Sequence, residues 1–300
     1  MVFFSYIMNK DLKILVTGAY GQLGSDCVRE LKERGYKNIL AVDRVELDII
    51  DKEAVFDLII DYRPDVIMHN AAWTAIDKAE QYPFAAYEVN ALGSKYIAEA
   101  AKEVGAKMFY ISTDYVFDGS NPNELDVDAP KNGTSIYGKT KSIGEDNVMK
   151  TIDKYFIIRI SWVFGLGGNN FVKKKLKAAS SGTPIYVTND QIGSPTFTYD
   201  LSKLMCDMME TEKYGVYHAT NEGECSQYEL IKYVFDLAGV KTPLIGVSTE
   251  EYKKYVPAEE NHPVKNRLSK ASLTRAGFSL LPPWKDAAER FTKEYLKMKR

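Results

Sequence analysis

The chain has 300 residues, of which 45% are hydrophobic and 27% are charged, and this composition is typical of a folded globular protein. The net charge of −2 excludes the basic surface that nucleic-acid binding demands. No apolar run reaches the roughly 20 residues of a membrane-spanning helix. Cysteines 27, 206 and 225 are far apart and form no metal-binding or redox spacing, so we expect a reducing, cytoplasmic setting.

Predicted strands and helices alternate along the first half of the chain. Residues 1–12 are expected to form a loose extension before the strand "KILVT", 13–17, which leads into a glycine-rich turn and a helix that ends at Gly35. The strands "KNILAVD", "DVIMHN", "AKMFYIST" and "YFIIRIS" follow, separated by helices, and the last of these helices begins near Tyr137. This alternation predicts an α/β protein with a Rossmann-type doubly wound parallel sheet.

The pattern becomes rich in loops after about Phe164. We therefore predict a dinucleotide-binding domain at 1–165 and a smaller C-terminal region, 166–300, that mainly binds substrate. The boundary is soft, and segments of the second region are expected to return to the first domain.

The turn "GAYGQLG" carries Gly18, Gly21 and Gly24 between a strand and a helix. Glycines there allow close backbone approach, and the helix N-terminus attracts the pyrophosphate of a dinucleotide. An ordinary strand–helix turn is the alternative. Asp43, at the end of the second strand, is placed to bind ribose hydroxyls and favours NADH, whereas Arg44 could neutralise the 2′-phosphate of NADPH.

Tyr137 and Lys141 are four residues apart and share one face of a predicted helix. A neighbouring lysine lowers the pKa of a tyrosine, which suits proton transfer at neutral pH. The preceding strand delivers Ser112, Thr113 and Asp114 to the edge of the sheet where ligands bind. Four other Tyr-x-x-x-Lys pairs lie before the first strand or in the C-terminal region, where ordinary helix surface explains them.

The strings "NAA", "VNALGS" and Tyr-x-x-x-Lys resemble the extended short-chain dehydrogenase/reductases. Within them, "STDYVFDG", "YGKTK", "ISWVFG" and "NDQIGSPTFTYDL" resemble the dTDP-4-dehydrorhamnose reductases, from about Lys13 to the C-terminus. The resemblance implies reduction of the 4-keto group of a dTDP-4-dehydro-6-deoxy sugar to give dTDP-L-rhamnose. It also implies NADPH or NADH as cofactor and a homodimer.

The resemblance also implies roles for individual residues. Thr113 would polarise the keto oxygen, Tyr137 would give it a proton, and Lys141 would lower the tyrosine pKa and hold the nicotinamide ribose. The implied substrate contacts are Thr113, Asp114, Trp162 and His262. The predicted cofactor contacts are Gly18, Gly21, Gln22, Leu23, Gly24, Asp43, Arg44, Asp48, Ile49, Ala71, Ala72, Trp73, Asn90, Tyr137 and Lys141. For Asn90 and Trp162, simple packing is the alternative.

Two departures from the family pattern leave the exact sugar and nucleotide open. His262 stands where relatives carry an arginine suited to a diphosphate, and the loop at 129–136 differs from the usual form. No metal site is predicted, because the three histidines have no carboxylate or cysteine grouping around them; a metal ion at a subunit interface stays open.

Two alternative functions remain. One is another sugar-nucleotide reductase, epimerase or dehydratase; against elimination, Asp114 is followed by Tyr115 rather than by the glutamate of dehydratases. The other is a non-catalytic NADP-binding regulatory subunit like that of methionine adenosyltransferase.

Overall fold

The computed structural model describes residues 9–121, 123–255 and 266–299. Its strands are β1 (Lys13–Thr17), β2 (Asn38–Val42), β3 (Val66–His69), β4 (Lys107–Thr113), β5 (Tyr155–Ile160), β6 (Val163–Phe164), β7 (Ile185–Thr188), β8 (Ile192–Gly193), β9 (Thr196–Phe197), β10 (Gly215–His218), β11 (Asn221–Glu222), β12 (Cys225–Ser226), β13 (Leu244–Val247) and β14 (Leu281–Pro283). The α-helices are α1 (Gln22–Glu33), α2 (Lys52–Tyr62), α3 (Ile76–Gln81), α4 (Pro83–Tyr87), α5 (Ser94–Val104), α6 (Ile136–Thr151), α7 (Phe171–Ala178), α8 (Thr198–Met209), α9 (Gln227–Ala238), α10 (Thr249–Tyr252), α11 (Ala271–Ala276) and α12 (Trp284–Met298).

A six-stranded sheet in the order β10-β5-β4-β3-β1-β2 forms the centre of the molecule, and all its strands are parallel. Its strands are apolar on both faces because helices cover both. In β1, Ile14 and Val16 pack toward α1 and α8, whereas Leu15 packs toward α2, α5 and α6. The predicted Rossmann-type doubly wound fold is confirmed.

The stretch 83–104 is helical throughout but changes its geometry midway. A π-helical turn at Glu88–Gly93 separates α4 from α5, and Gly105 ends α5 in a left-handed conformation with φ +73°. Single π turns are common at functional sites. This one contains Asn90, which is fully buried.

The C-terminal region has a second apolar core, to which α7, α9 and α12 contribute. Other segments of the same region belong to the central sheet: β10 is its edge strand, and α8 packs against α1. The division of the chain at residue 165 stays a proposal. In the described part of the chain, no helix is both long enough and apolar enough to cross a membrane.

Candidate active site

The glycine-rich turn after β1 is tightly packed against its own backbone. Gly18 has φ +61°, and a Cβ atom on Gly24 would lie only 2.1 Å from the carbonyl oxygen of Gly18. Helix α1 starts after Gly21, and no described side chain caps its first turn. The first backbone N–H groups of α1 therefore remain available to an anion such as a pyrophosphate.

Two buried acceptors beside this turn also fit a bound ligand. Gln22 follows the glycine-rich turn, and Asn70 follows β3. The Oε1 atom of Gln22 and the Oδ1 atom of Asn70 are buried and have no hydrogen-bond partner among the described residues. Such orphaned groups are costly unless a ligand or water satisfies them. Leu23, the next predicted cofactor contact, is 7% exposed and packs in the core below.

The end of β2 carries the pair that bears on the choice of dinucleotide. The Asp43 carboxylate accepts hydrogen bonds from the backbone N–H of Tyr20 (3.2 Å) and of Arg44 (2.8 Å). The Arg44 side chain is 81% exposed, and its Nε lies 3.7 Å from Asp48. Ile49 is buried and packs against the π-helical turn. A carboxylate and a guanidinium are thus both present, and NADH and NADPH both stay open.

The loop after β3 is held in place by Asn90. Asn90 Oδ1 accepts the N–H of Trp73 (2.9 Å), and its amide nitrogen donates to the Trp73 carbonyl (3.1 Å) and to Thr140 Oγ1 (3.1 Å). Ala71 and Ala72, which precede Trp73, are partly buried. Asn90 therefore connects this loop to α6 and has the structural role that was the alternative to cofactor binding. A direct contact between Asn90 and a cofactor stays a prediction.

The end of β4 meets the beginning of α6. Thr113 Oγ1 donates to Asp114 Oδ1 (3.2 Å) and accepts the N–H of Tyr115 (3.2 Å), which turns the chain into a short 3-10 helix. The Tyr115 ring contacts the Tyr137 ring edge-on, with centroids 5.5 Å apart. A Cβ atom on Gly138 would lie 2.0 Å from the Tyr115 carbonyl oxygen, so only glycine allows this approach.

Helix α6 itself has a well-capped first turn. Ser135 Oγ accepts the N–H of Gly138 (3.0 Å), and Glu80 Oε1 accepts the N–H of Ile136 (2.6 Å). These two acceptors satisfy donors that would otherwise be left open at the helix N-terminus. The cap fixes where α6 begins, and therefore where its side chains point.

The pKa of Tyr137 is raised to about 12, because burial disfavours the phenolate and the Asp114 carboxylate adds to this, while a hydrogen bond from Thr113 opposes it only in part. Burial likewise raises the pKa of Asp114, which is 5% exposed, to about 7. Tyr137 thus remains a protonated phenol at neutral pH.

Burial lowers the pKa of Lys141 to about 7, although the nearby Glu145 carboxylate acts in the opposite direction. The Lys141 ammonium nitrogen lies 4.0 Å from the centroid of the Tyr110 ring. The groups that shift the pKa of Tyr137 here are Thr113 and Asp114 together with burial, and the role of Lys141 in lowering that pKa stays a prediction. Desolvation dominates the Tyr137 phenol, and the ammonium is directed at the face of another ring.

Trp162 connects β5 to β6 with φ +44°, a left-handed conformation that is strained for a bulky residue. Its indole is partly exposed and packs on Gly193 of β8. Backbone strain of this kind is often found at ligand sites, which favours a functional role over simple packing. His262 lies outside the described residues.

Sequence analysis missed a buried polar group behind the site, formed by Glu145, Arg159 and Ser112. The signal available was the continuation of the four-residue spacing from Tyr137 and Lys141 to Glu145. Among the described residues, no group of three or more His, Cys, Asp or Glu side chains could hold a metal ion.

Comparisons with known proteins agree with this geometry. The family model described as "RmlD substrate binding domain" matches residues 12–297. A dTDP-4-dehydrorhamnose reductase of Aggregatibacter actinomycetemcomitans is 36% identical, over 90% of this chain and 94% of that protein. The chain belongs to the dTDP-4-dehydrorhamnose reductase family.

Two further proteins are similar to this chain over nearly its whole length. The crystal structure of the dTDP-4-dehydrorhamnose reductase from Bacillus anthracis in complex with NADP matches with a TM-score of 0.90 and 38% identity, over 95% of this chain and 99% of that one. The spore coat polysaccharide biosynthesis protein SpsK of Bacillus subtilis is 37% identical, over 94% of this chain and 97% of that protein.

Proposed function

We propose that the protein reduces the 4-keto group of a dTDP-4-dehydro-6-deoxy sugar, giving dTDP-L-rhamnose, with NADPH or NADH as cofactor. The observation that carries this proposal is the meeting of Thr113 and Tyr137 at the same carboxyl edge of the sheet as the glycine-rich turn, in a chain whose relatives are named as reductases of this sugar class. The exposed Arg44 and the relative crystallised with NADP favour NADPH.

The carboxyl edge of β1, β2 and β3 carries the residues that would hold the cofactor. The backbone at Gly21 and Gln22 would bind the pyrophosphate, Asp43 or Arg44 the adenosine ribose, and the loop ending at Trp73 would lie beside the nicotinamide half. The nicotinamide, when bound, supplies the hydride that reduces the carbonyl carbon.

The protein's own contribution is to stabilise and protonate the oxygen. Negative charge builds on the keto oxygen as the carbonyl is reduced, and hydroxyl donors placed in a water-excluded site stabilise it. The single hydroxyl proton of Thr113, which is donated to Asp114 Oδ1 in this structure, would turn to the keto oxygen when substrate binds. Tyr137 would transfer its own proton to that oxygen, because its phenol is protonated at neutral pH. Lys141, when charged, stabilises the phenolate that remains.

Asp114 and Trp162 are proposed to contact the sugar, and His262 the diphosphate. Asp114 is held by the side-chain amide of Asn266, which donates to its carbonyl oxygen at 2.8 Å. An elimination reaction is disfavoured, since Tyr115 packs its ring against Tyr137 where a dehydratase carries a second carboxylate.

We also propose a homodimer in the cytoplasm. The three cysteines are free and buried, which suits a reducing compartment. Exposed aromatic side chains of Tyr82 (57%) and Phe84 (69%) offer apolar area for a second copy. Light scattering of the purified protein tests the dimer directly, and a monomer at micromolar concentration would contradict it.

The decisive experiment follows oxidation of NADPH and of NADH, in separate runs, with dTDP-4-dehydro-L-rhamnose made in place by upstream enzymes. We expect turnover, and a loss of about 10²- to 10⁴-fold in Tyr137→Phe, the range typical of a removed general acid. The matched control is Tyr228→Phe, which removes the phenol of another Tyr-x-x-x-Lys pair, on α9, and should retain full activity.

Binding of NADPH without its oxidation would favour the regulatory-subunit alternative. Oxidation that survives in Tyr137→Phe would remove Tyr137 from the role of proton donor while leaving the reductase activity in place.

A further inference from the structure

A row of polar side chains crosses three neighbouring strands beneath α6. Ser112 of β4 is the register neighbour of Arg159 on β5, and Arg159 is the register neighbour of His218 on β10. Glu145 of α6 lies over this row and accepts three hydrogen bonds from it. Its Oε1 atom accepts from Ser112 Oγ (2.5 Å) and from Arg159 Nε (2.9 Å), and its Oε2 atom accepts from Arg159 Nη2 (2.8 Å). Glu145 is 0% exposed, and Arg159 is 3% exposed.

The carboxylate in this row stays ionised. Burial alone would raise the pKa of Glu145, but the hydrogen bonds and charge of Arg159 lower it, and Lys131, whose Nζ lies 3.3 Å from Oε2, adds to the effect. His218 is neutral at pH 7, because burial and the Arg159 charge lower its pKa to about 3. The row therefore contains one buried anion whose charge is held by two cations.

Glu145 contacts both elements that carry the reacting side chains. Ser112, to which it is bonded, directly precedes Thr113 on β4. On α6, Glu145 follows Lys141 by one turn and Tyr137 by two, so the three side chains share one face. A change in the position of Glu145 therefore shifts Tyr137 relative to Thr113.

The surroundings of Lys141 make its charge depend on Glu145. Lys141 is 2% exposed, and burial opposes its protonation. From β3 it faces His69, which is neutral at pH 7 because burial, and then the Lys141 charge, lower its pKa to about 3. From β4 it faces the ring of Tyr110, and from its own helix it faces Glu145, which favours the ammonium.

We propose that Glu145 is a positioning residue with an electrostatic function: through Ser112 and Arg159 it fixes α6 on the sheet, and its carboxylate, one turn after Lys141 on the same helix face, favours the ammonium form of Lys141 against burial. The kinetic part of this proposal rests on the proposed reductase function, whereas the state of Lys141 is measurable without any turnover.

The test titrates Lys141 directly in protein labelled with ¹³C at the lysine ε-carbon, with Lys141→Met used to assign the signal. Glu145→Gln keeps the shape of the side chain and removes its charge, and should lower the titration midpoint of Lys141 by about one pH unit. Lys131→Met removes a partly exposed cation and leaves more of the Glu145 charge uncompensated, so the midpoint should rise.

The control is a second carboxylate–arginine pair outside the site, in which the carboxylate is buried and the arginine is partly exposed. Asp200 of α8 is 4% exposed and accepts from Arg290 of α12 at 2.8 and 2.7 Å. Asp200→Asn and Glu145→Gln should both lower the melting temperature, since each leaves an arginine without its partner, while only Glu145→Gln should move the Lys141 midpoint.

In the reductase assay, the alkaline limb of the pH–rate profile should move in the same direction as the midpoint in each variant. An unchanged midpoint in both Glu145→Gln and Lys131→Met, or an equal shift in Asp200→Asn, would overturn the proposal. Absence of turnover in the wild type would overturn the reductase function alone, because the titration would still report on Glu145.

Discussion

Helices α1 and α6 both begin at the carboxyl edge of the sheet, but their first turns are built in opposite ways. Helix α1 follows Gly21, and no described side chain caps it, so it presents backbone N–H groups. In α6, Ser135 caps the N–H of Gly138, so this helix presents side chains instead, Tyr137 and Lys141. An open helix start suits a phosphate, and a closed one suits groups whose positions must not change.

The two helices also differ in the hydrogen-bond partner of the buried carboxylate that each carries. Asp26 on α1 is bonded to the hydroxyl of Thr198 (2.5 Å), and burial raises its pKa to about 6. Glu145 on α6 is bonded to the guanidinium of Arg159, which lowers its pKa. The pKa values of these two buried carboxylates are thus shifted in opposite directions, because a paired cation compensates the lost hydration of an anion and a hydroxyl does so only in part.

Adding a side-chain cap to the first turn of α1 would test this comparison most strongly. In Gly21→Asp the new carboxylate should cap α1 and repel the pyrophosphate, weakening NADPH binding by roughly 100-fold, since two charges near 4 Å interact by several kcal/mol at a protein surface. Gly21 has φ −74° and ψ −176°, which other residues adopt, and a Cβ atom there would lie 3.2 Å from the carbonyl oxygen of Gly18. A small shift of the turn accommodates this contact, so the fold should be retained. Fluorescence titration of the cofactor measures the change.

Gly21→Ser is the control for this substitution, because it supplies a cap without a charge and should weaken binding by a smaller factor. Unchanged affinity in Gly21→Asp would mean that the first turn of α1 does not bind the phosphates.

Removing the unpaired carboxylate of α1 should stabilise the protein in a pH-dependent way. Folded Asp26 keeps its proton up to about pH 6, whereas the unfolded chain loses it near pH 3.9, so folding becomes less favourable as pH rises through this window. Asp26→Asn should therefore raise the free energy of unfolding by about 3 kcal/mol at pH 8 and change it little at pH 4. Urea denaturation at the two pH values measures this, and an equal effect at both would contradict the assignment.

Removing the side-chain cap of α6 should have the smallest effect of these substitutions. Ser135→Ala removes the cap of α6 and should lower the free energy of unfolding by about 1 kcal/mol, while Ser135→Thr largely retains the wild-type value. Turnover should fall several-fold as the first turn frays, whereas NADPH affinity, which we expect the phosphate contacts at α1 to dominate, should fall by a smaller factor. Thermal denaturation combined with cofactor titration separates the two effects, and a parallel loss of NADPH affinity would show that the helix starts are not independent.

The sequence alone determined the fold and the position of the candidate site. Strand β1 has the predicted bounds, 13–17, and α6 begins beside Tyr137, because apolar runs, glycines and helix spacing are local features of the chain. The meeting of Thr113 and Tyr137 also followed, since parallel strands and the helices after them share one edge of the sheet.

The tertiary structure decided the charges and the contacts behind the site. The pKa of Tyr137 rises rather than falls, Asn90 bonds to the Trp73 loop, and Glu145 pairs with Arg159 on a strand that the spacing of α6 does not reveal. These properties depend on how much water each group loses and on which partner packs against it. Burial and long-range pairing exist only after the strands and helices have assembled.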